Sequence, residues 1–233
     1  MQKKRTTGIV NLCTGAVLSV SFFLFVLATA LRLLGTSPGV MLPLMKHTAP
    51  PERTGLTADM YAPVVDMITG YIRGEEEAFQ YVLEGQDGAR YLLFHDYEQA
   101  HMQDVKDLFS LARSVQLVSG CILILCVALA IWHRRAREIY RGILFGEGIL
   151  VCVLLGLGIW GMVNFNGLFI TFHLLLFSNG LWFLNPATDL LIRLMPTEFF
   201  VLCGAVVFSV CLTGMLILLC LSLCGMKWSK MRR

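Results

Sequence analysis

Apolar residues run almost without interruption over about Thr7 to Leu31, about Ser114 to Trp132, about Ile143 to Val163 and about Phe199 to Leu223. Each run is close to the ~20 residues that a helix needs to cross a bilayer. The pattern predicts four transmembrane helices. The first has no small-residue cleavage site and flows into Arg32, so it reads as a retained span. A further apolar run, Phe165 to Leu184, is nearly as long. Counting it as a fifth span would carry the basic tail KWSKMRR to the opposite side and leave only Asn164 to turn the chain after Val163. The expectation is an interfacial or re-entrant segment shielded by other helices, since such backbone is tolerated only when buried in protein or lining a cavity.

Between the first two spans the periodicity changes. Thr57 is the expected N-cap of a helix through Tyr71 that ends near Gly74. Glu75 to Leu83 is expected as a second short helix, Gly85 to Gly88 as a turn, and Tyr91 to Phe94 as a short strand. The Pro-rich lead (Pro38, Pro43, Pro50, Pro51) is expected to run over the surface. A helix is expected from near Tyr97 directly into the second span. Projected at about 100° per residue, it carries Gln103, Lys106, Asp107, Ser110 and Arg113 on one side. Val105, Leu108, Leu111, Ala112 and Val115 fall on the other, with His101 central and Asp104 on the same face. A straight helix at about 1.5 Å per residue would set His101 roughly 20 Å from Ser114. Either the helix bends or the bilayer boundary lies nearer Leu108. The fold class expected is a mainly α membrane protein, organised as 1–34 (first span), 35–113 (small extracytoplasmic domain), 114–163 (second and third spans), 164–198 (interfacial segment) and 199–233 (fourth span and tail).

Charge adds an orientation. Lys3, Lys4 and Arg5 precede span one, Arg134, Arg135, Arg137 and Arg141 fill the link between spans two and three, and Lys227, Lys230, Arg232 and Arg233 close the chain. These clusters share one side, which the positive-inside rule makes cytoplasmic for both termini. Residues 33–113 hold twelve acidic and six basic residues and lie outside. The net charge of +3 is thus polarised across the membrane and does not suggest nucleic acid. Hydrophobic residues make up 56% and charged residues 15%, which agrees with a membrane protein. All eight cysteines fall in the spans, where they read as small buried hydrophobes without disulfide or zinc spacing.

Two histidines carry the candidate chemistry. His173 lies in a run without charged side chains, and an ionisable group at membrane depth points to function. His101 lies on an apolar helix face with Asp104 three residues on, within reach of it. Asn179 and Trp182 follow His173 as possible substrate or structural contacts. Asp189 and Arg193 read as a structural i,i+4 pair on a surface helix. No Gly-x-Ser-x-Gly, His-Glu-x-x-His or phosphate-loop motif occurs. Two imidazoles without a Ser or Cys suit acyl movement between groups that both belong to the substrate. One imidazole takes a proton from an attacking amine and the other returns it to the leaving alkoxide. Three other readings stay open: purely structural histidines, a metal-dependent lipid hydrolase on His101, Asp104 and His173, and a non-catalytic accessory subunit.

The segments HMQDVKDLF (101–109) and FHLLLFSNGLWFLNPATDLLIRLMPTEFF (172–200), with four spans and one exported loop, resemble the lipoprotein intramolecular transacylase (Lit) family of Gram-positive bacteria. The resemblance implies a substrate, diacylated lipoproteins of the cell membrane. It also implies a reaction: the sn-2 acyl chain of the diacylglyceryl group moves to the α-amine of the N-terminal cysteine, giving lyso-form N-acyl lipoprotein. It implies His101 and His173 as the catalytic pair. No cofactor or metal is expected. A monomer among membrane lipids is the default for a site enclosed within one bundle.

Overall fold

A computed structural model of the protein describes residues 2–84, 89–133 and 136–231. In chain order it contains α1 (Gln2–Thr36), α2 (Pro38–Thr48), α3 (Pro51–Thr54), α4 (Tyr61–Arg73), β1 (Val82–Glu84), β2 (Arg90–Leu92), α5 (Asp96–His133), α6 (Ala136–Val163), α7 (Phe165–Leu176), α8 (Leu190–Leu194) and α9 (Thr197–Met231). The expected turn at Gly85 to Gly88, and Arg134, Arg135, Arg232 and Arg233, lie outside the described residues.

Among the described residues four helices are long and apolar enough to cross a membrane: α1, α5, α6 and α9. Each predicted span lies inside one of them. The fifth apolar run becomes α7, a helix of 12 residues. At about 1.5 Å per residue it is roughly 18 Å long, well short of the ~30 Å hydrocarbon core. One residue proves enough to separate it from α6. Asn164 leaves the helical region (φ −150°, ψ 75°), and its side-chain oxygen accepts a hydrogen bond from the Gly167 amide at 2.8 Å. Asparagine ends one helix and caps the next because its short side chain replaces a missing backbone partner.

The chain forms two compact units. The first comprises residues 1–30, 113–162 and 206–233 and is a bundle of helix segments. Its closest contact is backbone on backbone between α1 and α6. A Cβ on Gly142 would stand 2.0 Å from the Leu12 carbonyl oxygen, and one on Gly15 would stand 2.1 Å from that of Ile139. Gly142 and Gly146 are four residues apart, the small-xxx-small spacing that lets membrane helices touch where lipid gives no hydrophobic drive. Ser19 adds a hydrogen bond to the Ile143 carbonyl at 3.0 Å. Glu147 and Asn11, also in this unit, are fully buried, an uncommon setting for a carboxyl group.

The second unit comprises residues 31–112 and 163–205. Its core gathers Met41 and Met45 of α2, Val64, Val65 and Ile68 of α4, Phe79, Phe94, Met102 of α5 and Leu194 of α8. The Pro-rich lead is therefore not a surface strap. Pro38 opens α2 at the position where its missing N–H costs nothing, and Met41, Met45 and Ala49 bury one side of it. Helix α4 begins at Tyr61 with Met60, not Thr57, at its N-cap. The Thr57 carbonyl instead accepts from the Met60 amide at 3.1 Å, closing a turn before the helix. Gly74 ends α4 as expected, in a left-handed conformation (φ 82°) that glycine adopts without strain.

The helix expected over Glu75 to Leu83 does not form. Phe79 is buried against Tyr71 and Phe94, with ring centroids 5.4 and 4.7 Å away. The Gln80 side chain bonds the backbone of Leu93 and Phe94 at 2.8–3.1 Å. These contacts hold the chain extended, and β1 pairs antiparallel with β2, Leu83 opposite Tyr91. Helix α5 runs unbroken from Asp96. Its core-facing residues are Met102, Val105 and Phe109. Leu111, expected on the buried face, is 58% exposed.

Gly142→Ala is expected to destabilise the protein by about 1–3 kcal/mol, because neither backbone can move aside. Gly148→Ala, where a Cβ meets nothing within 4 Å, is expected to be neutral. Thermal unfolding of the two purified variants in detergent checks this.

Candidate active site

Helix α7 is apolar nearly all round, and one position differs from the rest. Phe172, Leu174, Leu175 and Leu176 are 44–79% exposed, whereas His173 is only 7% exposed. Phe169, His173 and Phe177 recur every four residues and so share the inward side. Helix α5 brings His101, also 7% exposed, to the same place. The two imidazole centroids are 6.3 Å apart. Phe177 packs against both, at 5.3 Å from His101 and 5.5 Å from His173. Phe169 at 4.1 Å and Trp182 at 5.0 Å complete the surroundings of His173.

The hydrogen bonds differentiate the two rings. His173 Nδ1 lies 2.8 Å from the Phe169 carbonyl oxygen. A carbonyl only accepts, so Nδ1 carries the hydrogen and Nε2 holds the lone pair of the neutral ring. Burial holds this imidazole below its ordinary pKa, and the bond to Phe169 offsets that only in part. His101 Nδ1 is buried without a hydrogen-bond partner.

Asp104, one turn along α5, is near enough for its charge to reach His101, but it makes no hydrogen bond to His101 Nδ1. Its Oδ2 accepts from Asn179 Nδ2 at 2.8 Å, and Asn179 Oδ1 accepts from the Leu181 amide at 3.1 Å. The carboxylate thus holds the loop that carries Trp182.

Two further anchors escaped the sequence reading. Glu98, fully buried, accepts from the His95 amide and from the Leu191 amide, each at 2.8 Å. Tyr97 donates to Asp189 Oδ1 at 2.6 Å, and Asp189 also accepts from Thr188 and the Asn185 amide. Burial pushes the Asp189 carboxyl pKa up, but hydrogen bonds from Thr188, Tyr97 and Asn185 outweigh it and hold the group below its usual value. Asp189 and Arg193 are not the ion pair expected. Asp189 is buried at the start of α8, and Arg193 Nε donates to its backbone carbonyl at 3.3 Å. The available signal was spacing: Tyr97, Glu98, His101 and Asp104 repeat at one helical turn and line one side of α5.

Among the described residues no three His, Cys, Asp or Glu side chains gather closely enough to hold a metal ion. The His101, Asp104 and His173 set proposed for a metal does not converge in this arrangement. The arrangement offers two neutral imidazoles in an aromatic, largely dry setting, suited to moving protons.

These helices define a multi-pass membrane protein. The model of the family "Lipoprotein intramolecular transacylase Lit" matches residues 16–200, and the chain belongs to that family of acyltransferases. Solved structures of the membrane integral lipoprotein intramolecular transacylase Lit from Bacillus cereus are similar in fold. One superposes with a TM-score of 0.77 at 20% identity, covering 96% of this chain and 99% of that one. A variant of the Bacillus cereus protein with a histidine replaced by arginine gives 0.74 at 18% identity, covering 100% and 99%. A second variant, with histidine replaced by alanine, gives 0.73 at 18% identity, covering 98% and 99%. No curated protein sequence matches the chain.

Glu98→Ala leaves the buried Leu191 amide and the partly buried His95 amide without their acceptor and is expected to cost on the order of 1–3 kcal/mol. Glu98→Gln keeps an acceptor oxygen and is expected to lose less. Thermal unfolding in detergent ranks the two.

Proposed function

We propose that this chain moves the sn-2 acyl chain of a diacylglyceryl-modified lipoprotein to the α-amine of the same molecule's N-terminal cysteine, with His101 and His173 as the acid-base pair. The observation that carries the reading is the pair itself: two buried imidazoles, 6.3 Å between centroids, in one aromatic pocket. The α-amine nitrogen attacks the ester carbonyl, and its proton passes to an imidazole. The sn-2 C–O bond then breaks, the leaving oxygen is protonated, and the products are an amide and a free hydroxyl. Both reacting groups belong to the substrate, so no nucleophilic side chain is required. The enzyme contributes positioning, worth several kcal/mol when reacting groups are held in line, and general acid-base transfer, typically 10²–10⁴-fold.

His173 suits the accepting role, because its Nδ1 hydrogen is engaged and Nε2 is the free base. Asp104, Asn179 and Trp182 support it: the first two hold the loop, and the third covers the imidazole. Exposed apolar side chains on the elements that carry the site, Leu174 and Leu175 of α7 and Phe183 next to Trp182, suit contact with hydrocarbon chains. The basic clusters orient both termini to the cytoplasm and this site to the outer leaflet, the side on which mature lipoproteins are anchored. The enzyme acts as a monomer surrounded by membrane lipids.

Mass spectrometry of a lipoprotein N-terminal peptide tests the reaction, in a diacyl-lipoprotein host expressing wild type, His101→Ala or His173→Ala. The two lipid forms have equal mass, so fragmentation must locate the chain. An acyl group on the cysteine nitrogen with wild type, and its loss by a factor of at least ~10² with either variant, is the expected result. An unchanged diacylglyceryl group in the presence of folded wild-type protein would overturn the reading.

Two groups must be neutral for the attack: the substrate's α-amine, whose ordinary pKa is about 8, and the His173 imidazole, which burial holds below 6.5. Activity is expected to fall with the amine alone, about tenfold per pH unit, from near pH 8 down through 6.5, and to steepen only below 6.5 where His173 takes up a proton. A rate profile in detergent-lipid micelles, with fold checked at each pH, measures the position of that acid limb.

A further inference from the structure

A second site lies on the unit formed by residues 31–112 and 163–205, and it shares no lining residue with the histidine pair. It is a cavity of about 600 Å³ lined by His47, Thr48, Arg53, Glu198, Val201 and Leu202, among others. Arg53 and Glu198 form its polar part. Arg53 Nη1 donates to Glu198 Oε2 at 3.2 Å and to the Thr48 carbonyl at 3.1 Å, and Nη2 lies 3.5 Å from Glu198 Oε1. The two side chains are 43% and 61% exposed. An ion pair this open to solvent contributes little to stability. In a concave setting it presents two opposite charges side by side to a ligand.

The rest of the lining grades from polar to apolar. Glu198 is the second residue of α9, whose membrane-length apolar stretch begins at Thr197. One turn further along the same helix, Val201, which is 41% exposed, and Leu202 form a hydrocarbon wall. The exposed imidazole of His47 stands on the polar side with Arg53. A molecule matching this lining carries an anion, a cation and an aliphatic chain in fixed succession.

We infer that this cavity binds a zwitterionic glycerophospholipid whose headgroup bears a phosphate and a primary ammonium. The phosphate docks on Arg53 and His47, the ammonium on Glu198, and the first part of an acyl chain on Val201 and Leu202. Charge complementarity selects the zwitterion. A purely anionic headgroup meets the Glu198 carboxylate, and a neutral diacylglycerol leaves both charges unused. Arg53 turns its N–H fork to Glu198, so binding exchanges partners: two phosphate oxygens take the fork and the released carboxylate takes the ammonium. The inference does not depend on the transacylation reading.

The test uses the full chain reconstituted in vesicles of phosphatidylethanolamine and phosphatidylglycerol, equimolar and with identical acyl chains. Native mass spectrometry after detergent release counts the lipid retained. Wild type is expected to retain phosphatidylethanolamine over phosphatidylglycerol by about tenfold. Glu198→Gln is expected to abolish or reverse that preference, and Arg53→Gln to reduce retention of both lipids. Val201→Trp fills the cavity from a lipid-exposed position without touching the charged pair and is expected to reduce retention likewise, which covers the case in which Arg53→Gln fails to fold. Equal retention of both lipids by wild type, a wild-type preference for phosphatidylglycerol, or retention unchanged in folded Glu198→Gln and Val201→Trp would overturn the inference.

Discussion

The second unit depends on the side chains that the first turns of α5 present to residues 177–191. Three carboxylates do the holding. Glu98 binds the Leu191 amide, Asp104 binds Asn179, and Asp189 is bound by Tyr97 from the α5 side. The segment between these ties has no regular structure of its own, so its backbone cannot satisfy itself as a helix does. Anchoring at both ends sets where Phe177 and Trp182 lie, and these two rings, with Phe169, surround the imidazoles. His101 sits on the same side of α5 as the anchors, so the element that fixes the loop also supplies one of the two histidines.

That arrangement accounts for the chemistry proposed for the site. A proton transferred among apolar rings cannot be exchanged freely with water, so it must pass between groups already in place. The carboxylates of this region accept hydrogen bonds from backbone amides, from Asn179 and from the Tyr97 and Thr188 hydroxyls. Burial keeps the imidazoles uncharged, one with its tautomer set by the Phe169 carbonyl. The apolar side chains exposed along α7 would be costly in water and are suited to hydrocarbon.

The first unit solves a different problem by different means. Between membrane helices, burying apolar surface gains little, because lipid is as apolar as a leucine side chain. Close backbone approach at Gly15 and Gly142, and a hydroxyl-to-carbonyl bond from Ser19, supply the contact instead. The second unit has an ordinary core of Val64, Val65, Ile68 and Phe79, closed by aromatic packing and by the Gln80 side chain.

The sequence by itself determined the four long helices, because an apolar run of membrane length has no other way to satisfy its backbone in lipid. It also determined the continuous helix from Asp96, the end of α4 at Gly74 and the two histidines as the unusual residues, since each is a matter of local composition or conformation. Tertiary structure alone decided the rest. Thr57 lost its expected cap because packing set the start of α4 at Tyr61. The expected helix after Gly74 became an irregular stretch leading into β1, because Phe79 and Gln80 found partners at Leu93 and Phe94. The Pro-rich lead folded into α2 to bury Met41 and Met45. Asp104 turned to Asn179 rather than His101, which spacing along one helix cannot foresee: i,i+3 neighbours are able to meet, but a partner 75 residues away competes for the same oxygen. Periodicity reports which residues share a side of an element, and only the assembled core decides which of them meet.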